Sequence, residues 1–200
     1  MSSSALPPEP WHSFLAEIDA ALATPVFLNC IGGFALTVHY GMSRSTADID
    51  LIEVPAAVLA GPLLTLGCEG GPLHRKYKLY IDPVTVASFP ENYEDRLTEI
   101  FAGAYKNLRI RVLDPYDIAL TKLGRNNQKD RDDMRFLARA IPLDIETLKE
   151  RYLAELQWQL GDGLRYGPRY RADRDIDEWI EMIKEDQSRK DVSGRPASNH

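Results

Sequence analysis

The stretch that decides the fold runs from Phe27 to Ile52: F-L-N-C-I-G-G-F-A-L-T-V-H-Y-G-M-S-R-S-T-A-D-I-D-L-I. Val26–Ile31 is short and mostly apolar and reads as a buried strand. Gly32-Gly33 follows at once, and Phe34–Tyr40 reads as a helix closed by Gly41. Met42–Ala47 is a polar loop. Asp48–Val54 alternates and reads as a second strand, its acids pointing one way while Ile49, Leu51 and Ile52 support a core. Two glycines at a helix start put no side chain in front of the backbone N–H groups, which can then hold an anion. Asp48 and Asp50, two residues apart on a strand, face the same side. Paired carboxylates repel unless a cation lies between them, and Mg²⁺ accepts such oxygens together with those of a triphosphate. A metal pair held this way stabilises the attacking and leaving oxygens of phosphoryl or nucleotidyl transfer. Alone, a D-x-D is common on exposed strands and a Gly-Gly is usually a turn. Their order, with a strand before and after, carries the signal.

Outward from this stretch, Trp11–Ala23 reads as a helix with Phe14, Leu15, Ile18 and Leu22 at helical spacing. Pro55–Leu66 reads as a helix broken or bent at Gly61-Pro62. Lys76–Ile81 and Val84–Phe89 read as strands around Asp82-Pro83, and Leu108–Leu113 (L-R-I-R-V-L) alternates clearly. Asp114-Pro115 opens a helix that Gly124–Asn127 interrupts. Gln128–Ala140 forms another, capped by Asn127 with Asp130 at the capping-box position. Asp144–Leu160 is amphipathic through Leu148, Tyr152, Leu156 and Leu160. Gly161–Tyr170 reads as a linker and Asp175–Lys184 as a last short helix. Strands with helices early and helices late indicate an α/β or α+β domain with a helical C-terminal part. The expected organisation is a domain over residues 11–140, a helical extension over 141–186, and disordered ends at 1–10 and 187–200, which are rich in Ser, Pro and charge.

The net charge of −6 argues against a dedicated nucleic-acid coat. Positive charge is nevertheless concentrated: Met1–Ala60 has one base, Arg44, against six acids, whereas Tyr105–Arg139 has nine bases against five acids. Such a segment suits a polyanion. Cys30 and Cys68 form neither a disulfide framework nor a metal motif, which fits a reducing, cytoplasmic setting. The N-terminus lacks the basic start and apolar core of a signal peptide, and no apolar run is long enough to cross a membrane. His12, His39 and His74 are single, with no second metal-type ligand at helical spacing, so zinc is not expected. Cys30 reads as core. The Tyr and Arg residues of Leu164–Arg174 suit either an ordered linker or stacking on RNA bases.

The glycine pair followed by D-x-D resembles the polymerase-beta-type nucleotidyltransferase superfamily. Within it the chain looks most like the AbiEii/AbiGii-like group, which includes abortive-infection toxins. That group shows G-G-x-A-L, R-x-S or R-x-T, and D-I-D-L. Here these are Gly32-Gly33-Phe34-Ala35-Leu36, Arg44-Ser45-Thr46 and Asp48-Ile49-Asp50-Leu51. A later K-L with a basic residue and K-D-x-x-D match Lys122-Leu123, Arg125 and Lys129-Asp130-Arg131-Asp132-Asp133.

The resemblance implies the nucleotidyltransferase fold, a small mixed sheet flanked by helices with a helical C-terminal part. It implies Mg²⁺ (or Mn²⁺) on Asp48 and Asp50, with a nucleoside triphosphate as substrate, ATP among the possibilities. Gly32 and Gly33 would approach the triphosphate, Arg44, Ser45 and Thr46 would touch phosphates, and Lys122, Arg125 and Lys129 would neutralise charge. For Lys129, a solvated helix face with local salt bridges is the competing reading. The superfamily's third carboxylate lies on a neighbouring strand; Asp82 in L-Y-I-D-P-V is the candidate, as base or metal ligand, though Pro83 also suits a turn there. Glu53 points away from Asp50 by alternation and fits less well. The implied function is NMP transfer to an RNA (such as tRNA), protein or small-molecule hydroxyl, in a toxin-like role with a cognate antitoxin. The alternative is a nucleotide-binding or protein-interaction module of the same fold without catalysis.

Overall fold

The computed structural model describes residues 6–84, 88–160 and 172–193. The backbone divides into two compact units, one of residues 1–87 and 94–114, the other of residues 88–93 and 115–200. Among the described residues, no helix is long and apolar enough to cross a membrane.

The first unit is built on a mixed five-stranded sheet. Its strands are β1 (Val26–Ile31), β2 (Asp48–Ile52), β3 (Tyr80–Pro83), β4 (Thr98–Ile100) and β5 (Leu108–Val112), in the spatial order β3-β2-β1-β5-β4. β1 runs antiparallel to β2 and parallel to β5; β2 and β3 are parallel, and β4 and β5 antiparallel. Its helices are α1 (Trp11–Ala21), α2 (Gly32–Phe34, continuing as a π-turn at Ala35–His39), α3 (Ala56–Leu59), α4 (Pro62–Gly67) and α5 (Pro72–Tyr77).

Alternation gives the sheet two unlike faces. Leu28, Cys30, Ile49, Leu51, Ile81, Leu108, Ile110 and Val112 are buried on one side. Helices close that side: a Cβ at Gly67, the end of α4, would stand 3.1 Å from Ile18 of α1 and 3.3 Å from Ile81 of β3. Trp11 meets Phe34 edge-on at 5.0 Å. The other face carries Phe27, Asn29, Asp48, Asp50, Tyr80, Asp82, Arg109 and Arg111, which are exposed or half-buried. β1, read from the sequence as a buried strand, is buried except at Phe27, which is exposed, and Asn29, which is half-buried.

Several elements differ from their sequence reading for local reasons. Lys76–Ile81 was expected to be extended, but Pro72 at the first turn starts a helix that runs to Tyr77, and Lys78 ends it in the left-handed conformation at φ 61°. The strand begins only at Tyr80. In Val84–Phe89, residues 85–87 lie outside the described residues, and Val84, Ser88 and Phe89 are not in a strand. β4 is a three-residue edge strand too short to show a period. Gly61-Pro62 splits the Pro55–Leu66 helix into α3 and α4, as the proline requires. The linker Gly161–Tyr170, with most of the Tyr and Arg residues beside it, lies outside the described residues.

In the second unit, α6 (Pro115–Leu123), α7 (Gln128–Ala140), α8 (Ile145–Arg151), a π-turn at Tyr152–Leu156, α9 (Gln157–Leu160) and α10 (Ala172–Ser193) follow in order. Asn127 caps α7, accepting from the Asp130 N–H at 3.0 Å while the Asp130 carboxylate accepts from the Asn127 N–H at 3.4 Å. Leu148, Tyr152, Leu156 and Leu160 are all buried, as their spacing requires. α10 continues to Ser193, past Lys184 where the sequence suggested its end.

One carboxylate ties the start of β5 to α1. Asp19 accepts from the backbone N–H groups of Lys106, Asn107 and Leu108 at 3.0, 2.6 and 2.8 Å. Partial burial disfavours its charge, but the Asn107, Leu108 and Lys106 donors outweigh it and hold the carboxyl below its ordinary range. Such a group stabilises the fold above the ordinary value and loses its effect as pH falls through the lower folded value. Asp19→Ala is therefore expected to cost about 2 kcal/mol at neutral pH, with the deficit narrowing below about pH 4. Urea denaturation of both proteins at pH 7 and pH 3 reads the difference.

Candidate active site

The three aspartates are placed by strand register. Asp50 stands opposite Ile31 of β1 on one side and opposite Asp82 of β3 on the other. Residues opposite each other on neighbouring parallel strands share a face, with backbones about 4.8 Å apart. Asp48, two residues along β2, lies on the same face opposite Tyr80. Asp48 and Asp50 are half-buried and Asp82 is exposed.

The glycine pair and the polar loop converge on these acids. Gly32 has φ +67°, the left-handed region, and a Cβ there would overlap the Asp50 Oδ2. At Gly33 a Cβ would stand 2.7 Å from the Thr46 Oγ1 and 3.6 Å from a guanidinium nitrogen of Arg44. The Thr46 hydroxyl donates to the Asp48 Oδ1 at 2.5 Å, fixing that carboxylate. Ser45 is exposed between Arg44 and Thr46. Gly32, Gly33, Arg44, Thr46, Asp48 and Asp50 are thus neighbours, with Asp82 beside Asp50 by register.

The field here is negative. The Tyr80 hydroxyl is pushed above its ordinary range, first by burial and then by Asp48, Glu69, Asp82 and Asp50. The Cys30 thiol, fully buried on the far face, is raised by burial and then by Asp50, so it stays an un-ionised core group. Hard carboxylate oxygens on one face are the donor set Mg²⁺ takes. Among the described residues, no three His, Cys, Asp or Glu side chains form a metal cage by themselves. Mg²⁺ commonly binds through one or two carboxylates plus substrate phosphates rather than in an all-protein cage, so the donor set fits that ion with a nucleotide.

The remaining candidates fall elsewhere. Glu53 leaves β2 in the left-handed region, at φ 52°, and its carboxyl is hydrogen-bonded to Glu94. That shared bond, with the Glu53 charge, holds the Glu94 carboxyl above its ordinary range. His12 faces the Tyr105 hydroxyl at 3.3 Å and His74 accepts from the Gly70 N–H at 2.7 Å. His39 is exposed, and partial desolvation of its ring lowers its pKa.

Lys122, Arg125 and Lys129 belong to the second unit. Lys122 is buried between α6 and α7, its ammonium 2.7 Å from Asp133 and 3.5 Å from Asp130. Arg125 is largely exposed and meets Asp130 at 2.9 Å. Lys129 is exposed at the start of α7.

Sequence reasoning passed over Tyr80, Asn29 and Arg111, which share the face of the aspartates. The alternation of L-R-I-R-V marked Arg109 and Arg111 as a pair on one side of a strand, but only pairing with β1 shows which face that is.

A family model described as a nucleotidyltransferase of unknown function (DUF6036) matches residues 15–167. The chain belongs to this family. No curated protein and no solved structure matches it. The span shared with this nucleotidyltransferase family takes in the glycine pair, the loop with Arg44 and Thr46, and all three aspartates.

Two stability measurements test the site's construction. Gly41 also has positive φ, +79°, but a Cβ there meets nothing within 4 Å. Gly41→Ala is expected to cost about 1 kcal/mol from backbone strain. Gly32→Ala should cost at least about 1 kcal/mol more from overpacking against Asp50, and the excess should vanish in the Asp50→Ala background. Lys122→Ala strands two buried carboxylates and is expected to destabilise the protein by about 3 kcal/mol, with or without nucleotide. Thermal melting with and without Mg²⁺-nucleotide separates that loss from a loss of ligand binding.

Proposed function

We propose that this protein is a Mg²⁺-dependent nucleotidyltransferase that moves an NMP group from a nucleoside triphosphate to an acceptor hydroxyl. The observation that carries the reading is the register that sets Asp82 beside Asp50, on the face where Asp48 stands and the Gly32-Gly33 turn opens. Asp48 and Asp50 are the metal ligands, with Asp82 as base or further ligand. When bound, Mg²⁺ neutralises triphosphate charge. The backbone N–H groups at the start of α2 face the phosphates, and Arg44, Ser45 and Thr46 line the approach. The acceptor oxygen forms a bond to the α-phosphorus, the bond from that phosphorus to the bridging oxygen breaks, and pyrophosphate leaves. The hydroxyl proton passes to the Asp82 carboxylate, whose exposure leaves it open to an acceptor.

Lys122, Arg125 and Lys129 take a supporting place in this reading. Arg125 and Lys129 are exposed cations suited to phosphate, while Lys122 holds α6 to α7. The likeness of G-G-F-A-L, R-S-T and D-I-D-L to AbiEii/AbiGii-like proteins supports a toxin role with a cognate antitoxin, and RNA, above all tRNA, or a protein as acceptor.

The test is incubation with each α-³²P-labelled NTP, Mg²⁺, total RNA and cell lysate, beside the Asp48→Ala/Asp50→Ala protein. Label is expected on an acceptor band that drops at least about 100-fold in the variant, and the mobility of that band names the acceptor class. Label that persists unchanged in the variant would falsify the assignment. Nucleotide binding without any labelled band identifies a non-catalytic module of the same fold.

A further inference from the structure

On the face that carries Asp50, the sheet continues past the acidic site into a row of different chemistry. Ile31 pairs with Asp50, and alternation places Asn29 and Phe27 on the same side of β1. On β5, Arg111 stands opposite Asn29 and Arg109 opposite Phe27. Phe27 is 53% exposed, an unusual position for a phenylalanine on the central strand of a sheet. The Arg111 guanidinium lies 4.5 Å from the Phe27 ring centroid. Arg109 is committed elsewhere, donating to the carbonyls of Tyr105 and Leu108.

Two atoms in this row are buried without a hydrogen-bond partner: the Asn29 Oδ1, an acceptor, and the Arg111 Nε, a donor. Both residues are only half-buried, so each side chain is open to a ligand in part, while the two orphaned atoms themselves are covered. A buried polar group left unsatisfied is costly, and each such group calls for an explanation. Here an acceptor and a donor orphaned on directly paired residues adjoin an exposed aromatic ring.

We propose that Phe27, Asn29 and Arg111 form a nucleobase-binding subsite on the acidic face of the sheet. The chemistry selects among ligand classes. A phosphate would engage Arg111 but supply no donor for the Asn29 oxygen and gain nothing from Phe27. An apolar ligand would cover Phe27 and leave both orphaned atoms unmet. A nucleobase has a π-face for the ring and guanidinium and an edge with donor and acceptor side by side, so it uses all three residues. From Asp50, Asn29 is one strand across and two residues along, roughly 5 Å by 7 Å, Arg111 is one strand further across, and Phe27 is four residues along, roughly 13 Å, a reach comparable to that of one extended nucleotide. The base belongs either to the triphosphate or to a nucleotide of the acceptor. The inference rests on the nucleotidyl-transfer reading of Asp48 and Asp50.

The experiment measures Mg²⁺-dependent binding of the four NTPs, of inorganic tripolyphosphate and of a short single-stranded RNA. It compares the unmodified protein with Phe27→Leu and Arg111→Lys, whose melting temperatures are checked first. Phe27→Leu keeps apolar bulk without a ring, and Arg111→Lys keeps the charge without the Nε donor. If the base is that of the triphosphate, NTP affinity falls roughly tenfold in each variant while tripolyphosphate affinity is unchanged. If it belongs to the acceptor, RNA affinity falls by a similar factor while NTP affinity holds. Affinities for NTP and RNA within twofold of the unmodified protein in both variants overturn the subsite. Equal affinity of the unmodified protein for NTP and tripolyphosphate, with no RNA binding, also overturns it. Failure to bind either NTP or tripolyphosphate overturns the reading of the acidic site instead, and the RNA measurements then decide the subsite alone.

Discussion

The Asp50 carboxylate occupies the space that a side chain at residue 32 would need. That exclusion organises the first unit. β1 has to leave the sheet at Gly32, where β2 presents its acid, and only a residue without a Cβ can turn there with positive φ. The turn starts α2 beside the carboxylate, so the free N–H groups of a helix start and the negative charge of Asp50 share one small region. Gly33 repeats the constraint more gently by admitting Thr46, which in turn orients Asp48. A pair of carboxylates and the backbone N–H groups of a helix start are thus brought together by one steric condition.

The sheet supplies the rest through its two faces. Apolar residues on one side commit the strands to a core, closed by α1 and α4, and thereby fix the orientation of every residue between them. A one-residue slip of β2 would carry Asp48 and Asp50 into that core, so the hydrophobic register and the chemical site enforce each other. The polar face is itself divided. Carboxylates cluster on β2 and β3, and guanidinium groups stand on β5, with Phe27 and Asn29 of β1 between them.

The helical unit obeys different physics. Among the described residues, several of its charged side chains pair with one another: Lys122 with Asp133 and Asp130, Arg151 with Asp117, and Arg139 with the buried Asp186. A buried pair such as Lys122 with Asp133 contributes little net stability but makes truncation of one partner costly. The basic balance of Tyr105–Arg139, read from composition as a polyanion site, is therefore in part internal. Arg109 bonds two backbone carbonyls of its own unit, while Arg125 and Lys129 remain at the surface.

The sequence by itself determined the elements whose cause is local. A run of apolar residues ending in Gly-Gly, the alternation of D-I-D-L-I and L-R-I-R-V, the Asn127 capping box and the spacing of Leu148, Tyr152, Leu156 and Leu160 each act within a few residues, and each has its expected form. The acidic pair was legible because alternation along one strand needs no partner. Only the tertiary structure decided what depends on which strand lies beside which. It put Asp82 in register with Asp50 although Pro83 equally suited a turn, and gathered residues 88–93 with the later helices. It placed Phe27, Asn29 and Arg111 on the face of the aspartates and buried Lys122. Strand pairing and burial join residues far apart in the chain, and no local propensity encodes which distant side chain will stand across the ladder.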